Sequence, residues 1–99
     1  MEDRKKYLLE LAYKCAGLLK KKYKVKRVFL IRSLVYGIVH ERSDIDLVVE
    51  GLAPEKYIKA LVDLSDIIEW KVEVNLIPFE DAFEGIKEKT LKKGKLIYG

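Results

Sequence analysis

Residues 28–49 read V-F-L-I-R-S-L-V-Y-G-I-V-H-E-R-S-D-I-D-L-V-V, two apolar runs joined by a segment that contains serine and glycine. The first run extends over 27–31 and is rich in β-branched and aromatic residues, which predicts a strand. The second, D-I-D-L-V-V-E at 44–50, alternates in polarity and predicts another. It carries two carboxylates one residue apart, Asp44 and Asp46.

These two carboxylates lie on one side of the second predicted strand, because successive side chains on a strand point to opposite faces. Ile45 and Leu47 then face the core, and Asp44 and Asp46 face away from it. Adjacent ionised carboxylates repel each other and destabilise a fold unless they are compensated. The pair therefore indicates a metal site, and the alternative is a solvent-facing strand edge that follows a turn.

The rest of the chain predicts helices that alternate with strands. Helices are expected over 3–22, from Pro54 through Leu64 and over 79–93. Strands are expected over 27–31, 44–50 and 70–77. A short turn or helix is expected from Ser33 to Gly37, and K-L-I-Y is expected to dock as an extended tail. This order predicts an α+β fold, a small sheet with helices mainly on one face. At this length we expect a single domain over residues 1–99.

Composition narrows the class of protein. The one cysteine, Cys15, leaves no disulfide framework or thiolate cluster, and its helical pattern places it in the core. We see neither an apolar run long enough to span a membrane nor a secretory signal in M-E-D-R-K-K, so we expect a cytoplasmic protein that does not enter a membrane. Abundant Lys and Glu suit a thermophile.

The net charge of +4 has one local concentration, the basic residues at 20–27. They suit either a nucleic-acid patch or a solvated helix C-terminus that complements the helix dipole. Since no aromatic-rich strand accompanies them, we favour the helix terminus and do not expect nucleic acid as a partner.

A serine precedes the carboxylate pair with a fixed spacing, Ser33-x₁₀-Asp44-x-Asp46, and Gly37 closes the turn between them. This arrangement can place Ser33 and exposed backbone N–H groups where a triphosphate would lie over the carboxylates. Mg²⁺ binds hard oxygen ligands through a few carboxylates together with substrate phosphates, and two such ions clamp a phosphoryl displacement. The spacing therefore indicates nucleotide chemistry.

Residues 28–49 resemble the signature of the minimal nucleotidyltransferase family, within the DNA polymerase β-like superfamily: a strand, G-S-x-x-x-G, then S-D-x-D-L on the next strand. The segments E-G-L-A-P-E-K-Y, K-V-E-V-N-L-I-P, F-E-D-A-F and L-K-K-G-K-L-I-Y-G extend the resemblance over nearly the whole chain. It implies a small mixed β-sheet, two Mg²⁺ ions and transfer of a nucleoside monophosphate, AMP from ATP. Many members are antitoxins of HEPN-domain ribonuclease toxins, and some attach AMP to the toxin.

The resemblance also implies roles for individual residues. Catalysis would use Asp44, Asp46 and Glu73; Mg²⁺ would be held by Asp44 and Asp46 with Glu73 or Asn75; the nucleotide would contact Arg32, Ser33, Gly37 and Ser43. The acceptor hydroxyl would come from a partner protein, because the chain has no room for a separate recognition domain.

Three positions depart from the family pattern. Arg32 replaces the glycine before the serine, Tyr36 replaces a basic residue, and Asn75 stands where a third carboxylate is expected. Asn is a neutral ligand and a poor general base, although Glu73 lies two residues earlier on the same strand face. Two interpretations follow: an active nucleotidyltransferase, or a degenerate domain that binds and neutralises its partner without catalysis.

An apolar strip accompanies the last predicted helix. It consists of Phe79, Ala82, Phe83 and Ile86. The strip suits a contact with a toxin or with a second copy in a homodimer, and it equally suits the core face of that helix.

Overall fold

A computed structural model of the chain describes residues 2–31 and 45–98. In chain order the elements are α1 (Glu2–Tyr23), β1 (Arg27–Leu30), β2 (Ile45–Glu50), α2 (Tyr57–Ile67), β3 (Val74–Pro78), α3 (Glu84–Lys93) and β4 (Lys95–Tyr98). Single 3-10 turns precede α2 at Pro54–Lys56 and follow β3 at Phe79–Asp81. None of the helices within these ranges is long and apolar enough to cross a membrane.

The four strands form one mixed sheet in the order β3-β2-β1-β4. β1 is antiparallel to both β2 and β4, whereas β2 and β3 are parallel. A parallel pair needs a crossover connection, and α2 with its preceding turn provides it. The α+β class and the mixed sheet are therefore confirmed, and the K-L-I-Y tail is an edge strand that pairs with β1.

Helices α1 and α2 cover one face of the sheet. The core includes Leu8, Leu11, Cys15 and Leu19 from α1, Ala60 and Leu64 from α2, and Val28, Leu30, Ile45, Leu47, Val49, Val74 and Leu76 from the sheet. Ile45 and Leu47 are fully buried, as the alternation of β2 predicts. Burial also raises the pKa of the Cys15 thiol to about 12, so this cysteine is an unreactive core residue.

The opposite face of the sheet has a smaller apolar cluster. Phe29 and Ile31 pack there with Val48, and Ile77 and Phe79 lie against them. The rings of Phe29 and Phe79 are stacked with centroids 6.4 Å apart. Since Asp46 and Val48 point to the same side of β2, the candidate carboxylate lies beside an apolar surface rather than in open solvent.

Two predicted boundaries differ most from the structure. The third strand begins at Val74 rather than at residue 70, because the turn after α2 extends as far as Lys71: the N–H of Trp70 donates to the carbonyl of Ser65 at 2.9 Å. The last helix begins at Glu84 rather than at 79, after a 3-10 turn and extended backbone at Ala82 and Phe83. The apolar strip is consequently divided: Phe79 packs on the sheet, while Phe83 is 83% exposed.

We expect Gly51→Ala to destabilise the fold by about 1–3 kcal/mol, because Gly51 has φ +93° and an added Cβ would lie 2.9 Å from the backbone nitrogen of Lys26. Gly17→Ala is the matched control: apart from its chain neighbours and the backbone of its own helix, no atom lies within 4 Å of the added Cβ, and alanine favours a helix by about 1 kcal/mol. Urea unfolding of both variants tests this difference. A Gly51 variant as stable as the unchanged protein would contradict the strain argument.

Candidate functional site

The candidate site is built on the junction between the two parallel strands. Asp46 on β2 is the register partner of Asn75 on β3, so their side chains lie on the same face of the sheet. Asn75 Nδ2 donates a hydrogen bond of 2.9 Å to Asp46 Oδ1. Asp46 is only 5% exposed. A buried carboxylate needs such partners, and the asparagine supplies one without adding negative charge.

The structure answers which residue lies beside Asp46. The backbone N–H of Ile45 donates to the carbonyl of Glu73 at 3.0 Å, so the pairing of the strands begins one residue before Val74. Glu73 lies two positions before Asn75 and is exposed. Asn75, and not Glu73, is therefore the direct neighbour of Asp46, and Glu73 is at the rim of the site.

A cavity of about 450 Å³ opens at this place. Asp46, Glu73 and Asn75 line it from the sheet, and Tyr57 and Leu61 line it from α2. The hydroxyl of Tyr57 donates to the carbonyl of Leu76 at 2.7 Å, which fixes α2 to the outer strand. Tyr57 is a lining residue that the sequence did not indicate, since its spacing in α2 suits a core position.

The described donor set fits Mg²⁺ only in part. Asp46 provides a carboxylate and Asn75 keeps its amide oxygen as a neutral donor, both of which are ligands that Mg²⁺ accepts. Within residues 2–31 and 45–98, however, no three His, Cys, Asp or Glu side chains lie close enough together to hold a metal ion. Asp44 directly precedes Ile45 in the chain, so the metal assignment depends on a residue beyond the described ranges.

Several predicted site residues fall outside the described parts of the chain. They are Arg32, Ser33, Gly37, Ser43 and Asp44, together with Tyr36. Their roles remain predictions. The structure brings together Asp46, Asn75 and Glu73 around one cavity, which is the part of the predicted site that it describes.

A further carboxylate of β2, Glu50, forms an ion pair with Arg27 and does not line the candidate site. Glu50 and Arg27 are register partners on β2 and β1, and two hydrogen bonds of 2.5 and 3.1 Å join their side chains. Lys22 pairs similarly with Asp63 at 2.8 Å. Arg27 and Lys22 belong to the basic run, so two cations of this run have ion-pair partners within the fold.

Hydrogen bonding to Arg27 lowers the pKa of the Glu50 carboxyl. A carboxyl with a lowered folded-state pKa stabilises the fold above its unfolded pKa of about 4.3, and that contribution is lost as the pH falls through the folded value. We expect Glu50→Gln to lower stability at neutral pH by up to about 1 kcal/mol, since the pair is partly exposed.

Thermal melts of the two proteins at neutral pH and at about pH 3 test this expectation, because the contribution of ionised Glu50 decreases as the pH falls below the unfolded pKa towards the lowered folded-state pKa. The difference in melting temperature should narrow as the pH falls. A difference that is constant over this range would show that the charge of Glu50 does not matter to the fold.

The comparisons with known proteins agree with this architecture. Residues 13–99 match the family described as polymerase beta, nucleotidyltransferase. Among solved structures, a toxin–antitoxin crystal structure with AMP-PNP is 21% identical, with a TM-score of 0.73 over 88% of this chain and 73% of that one. A crystal structure of the toxin–antitoxin MntA-HepT is 17% identical, with a TM-score of 0.60 over 100% of this chain and 73% of that one.

At these identities the solved structures establish the fold alone. A point mutant of the toxin–antitoxin MntA-HpeT, 22% identical, gives a TM-score of 0.70 over 89% of this chain and 72% of that one. The search of curated proteins finds no match. The family match over residues 13–99 and the structural similarity thus both indicate a nucleotidyltransferase fold.

Proposed function

This chain belongs to the polymerase β nucleotidyltransferase family, and we propose that it transfers a nucleoside monophosphate, AMP from ATP, to a partner protein with Mg²⁺ as cofactor. The observation that carries the proposal is the position of Asp46, a buried carboxylate held at the junction of two parallel strands beside a cavity of about 450 Å³. The reaction, the nucleotide and the roles of the residues before Ile45 are proposed from the resemblance of residues 28–49 to the minimal nucleotidyltransferase signature.

The proposed reaction assigns a role to each residue. Asp44 and Asp46 hold Mg²⁺, with Asn75 as a neutral ligand, and Arg32, Ser33, Gly37 and Ser43 contact the triphosphate. Mg²⁺ bound there would neutralise charge on the phosphates. The acceptor oxygen forms a bond to the α-phosphorus, the bond to pyrophosphate breaks, and the hydroxyl proton leaves. We assign that proton to Glu73, which is exposed at the rim, because the amide of Asn75 cannot accept it.

We propose a toxin as the partner, of the HEPN type, with this chain as its antitoxin. Support comes from solved structures of the same fold that are described as toxin–antitoxin proteins, one of them with AMP-PNP. The chain spans about three quarters of the length of those matched chains.

The test is transfer of label from ATP that carries a radioactive α-phosphate. The chain is incubated with the protein encoded by the neighbouring gene, with Mg²⁺ or with EDTA. We expect the partner to acquire label, and the mass of one AMP, only when Mg²⁺ is present. Label that never appears on the partner, in a complex shown to be intact, would refute transfer.

One observation favours a second candidate, a degenerate domain that neutralises its partner by binding alone. Asn75 hydrogen-bonds Asp46 directly, so the carboxylate has a partner without a cation. In this case neutralisation of the partner in cells should not depend on Asp46: an Asp46→Asn variant would protect as well as the unchanged chain. Loss of protection in that variant would favour transfer instead.

A further inference from the structure

A second cavity lies beside the candidate site, between α2 and the outer edge of the sheet. It has a volume of about 540 Å³, and Val62, Ser65, Trp70 and Val72 contribute to its walls. We call it the edge groove. Two of its apolar side chains are unusually accessible: Val62 is 43% and Trp70 is 65% exposed. A tryptophan exposed to this extent beside a groove is typical of a binding surface.

The edge groove is held in place by the turn after α2. The indole Nε1 of Trp70 donates to Asp66 Oδ1 at 2.7 Å, and the backbone of Trp70 has φ +57°. β3 is the last strand on this side of the sheet, and in the described ranges no strand covers its outer edge. The groove is therefore open and largely formed before any partner binds.

The edge groove is continuous with the cavity that contains Asp46. Leu61, Glu73 and Val74 line both of them. Glu73 separates the apolar part of this surface from the carboxylate part. A segment lying in the groove would thus extend past Glu73 towards Asp46.

The charge around the edge groove is opposite in sign to that of the chain. The chain has a net charge of +4, yet one carboxylate, Glu73, and one ammonium, Lys71, line the groove, and two further carboxylates, Asp66 and Glu69, lie at the end of α2 and in the turn after it, which carries Trp70 and Lys71. Lys71 lies 3.9 Å from Glu69. The complementary surface is therefore basic as well as apolar, which argues against a second copy of the same acidic groove as its occupant.

From these observations we propose that the edge groove docks a basic, apolar segment of the partner polypeptide, with an apolar side chain on Val62 and Trp70 and a lysine or arginine beside Glu69 and Glu73. The inference deepens the proposed function, because it names the surface by which an acceptor reaches Asp46. Docking itself requires neither nucleotide nor transfer.

The chain has one tryptophan, so its fluorescence reports directly on the edge groove. The probes are two pools of synthetic twelve-residue peptides that alternate apolar residues with charged ones, Lys or Arg in one pool and Glu in the other. We expect the basic pool to shift the emission of Trp70 to shorter wavelength and to bind more weakly as salt is added, and we expect no shift with the acidic pool.

Val62→Asp should weaken binding of the basic pool by about tenfold or more, since it would bury an unpaired carboxylate under an apolar side chain. Leu91→Asp on α3 is the matched control, because Leu91 is also an exposed apolar side chain, at 56%, and lies outside the groove. This variant should bind the basic pool as the unchanged chain does. Circular dichroism melts confirm that both variants fold.

Equal binding by the two pools, unchanged binding by Val62→Asp, or no shift with either pool would overturn the inference. So would a concentration-dependent blue shift of the chain alone that accompanies dimer formation, because a second copy would then occupy the groove.

Binding of Mg²⁺ and ATP is measured separately on Val62→Asp and should be unchanged. A chain that binds peptide but not nucleotide would retain the docking surface and refute the proposed transfer.

Discussion

Replacing Asn75 by aspartate is expected to make the stability of the fold depend on divalent cations. Asn75 Nδ2 lies 2.9 Å from Asp46 Oδ1 and donates a hydrogen bond to it. In Asn75→Asp two carboxylates meet at that distance, and the buried carboxylate of Asp46 loses the hydrogen bond that Asn75 donates to it. We expect a loss of about 1–3 kcal/mol in EDTA. Millimolar Mg²⁺ should restore most of it and leave the unchanged protein little affected.

Thermal melts with EDTA and with Mg²⁺ measure this effect. Asn75→Ala is the matched control, because it removes the same hydrogen bond without adding charge; we expect it to be destabilised and not rescued by the cation. If Mg²⁺ fails to raise the melting temperature of Asn75→Asp, the carboxylates do not converge on a metal site. The same variant should transfer nucleotide faster than the unchanged chain if the third carboxylate limits catalysis.

Asp46→Asn is expected to reduce nucleotide transfer by about a hundredfold or more, because a metal clamp contributes several kcal/mol to stabilising phosphoryl transfer. The substitution keeps the shape of the side chain, and its amide oxygen can still accept from Asn75 Nδ2, so the fold should tolerate it. Initial rates of label transfer to the partner, compared with the melting temperature of the variant, separate chemistry from stability. Full activity in Asp46→Asn would exclude this residue from the site.

The sequence predicted the strands that have one face in the core. Ile45 and Leu47 face α1 and α2 and alternate with the carboxylates Asp44 and Asp46, and this period of two predicts a strand. β4 was not recognised as a strand, since it has four residues, two of them exposed, and is fixed by pairing with β1 far away in the chain. The alternation at 70–73 is typical of a strand, but the N–H groups of Trp70 and Lys71 form the hydrogen bonds of the turn after α2, so the strand begins only at Val74.

The sequence indicated Asp46 as a candidate, but it did not show which residue of the next strand lies beside it. The spacing of the carboxylates indicated Asp46, whereas the choice between Glu73 and Asn75 depended on the register of two strands joined by a helical crossover. That register is set by packing across the whole domain. The edge groove likewise could not be read from the sequence, because Val62 and Trp70 come together only when α2 packs beside β3.

Calorimetric titration of ATP into the chain, with Mg²⁺ and with EDTA, tests the central claim most directly. The account predicts binding in the micromolar to millimolar range that requires Mg²⁺ and is lost in Asp46→Asn, while Leu91→Asp binds as the unchanged chain does. The titration is repeated on the complex with the partner, so that a site completed by the partner is also tested. Binding that is indifferent to Mg²⁺ and to Asp46, or no binding in either form, would contradict the account.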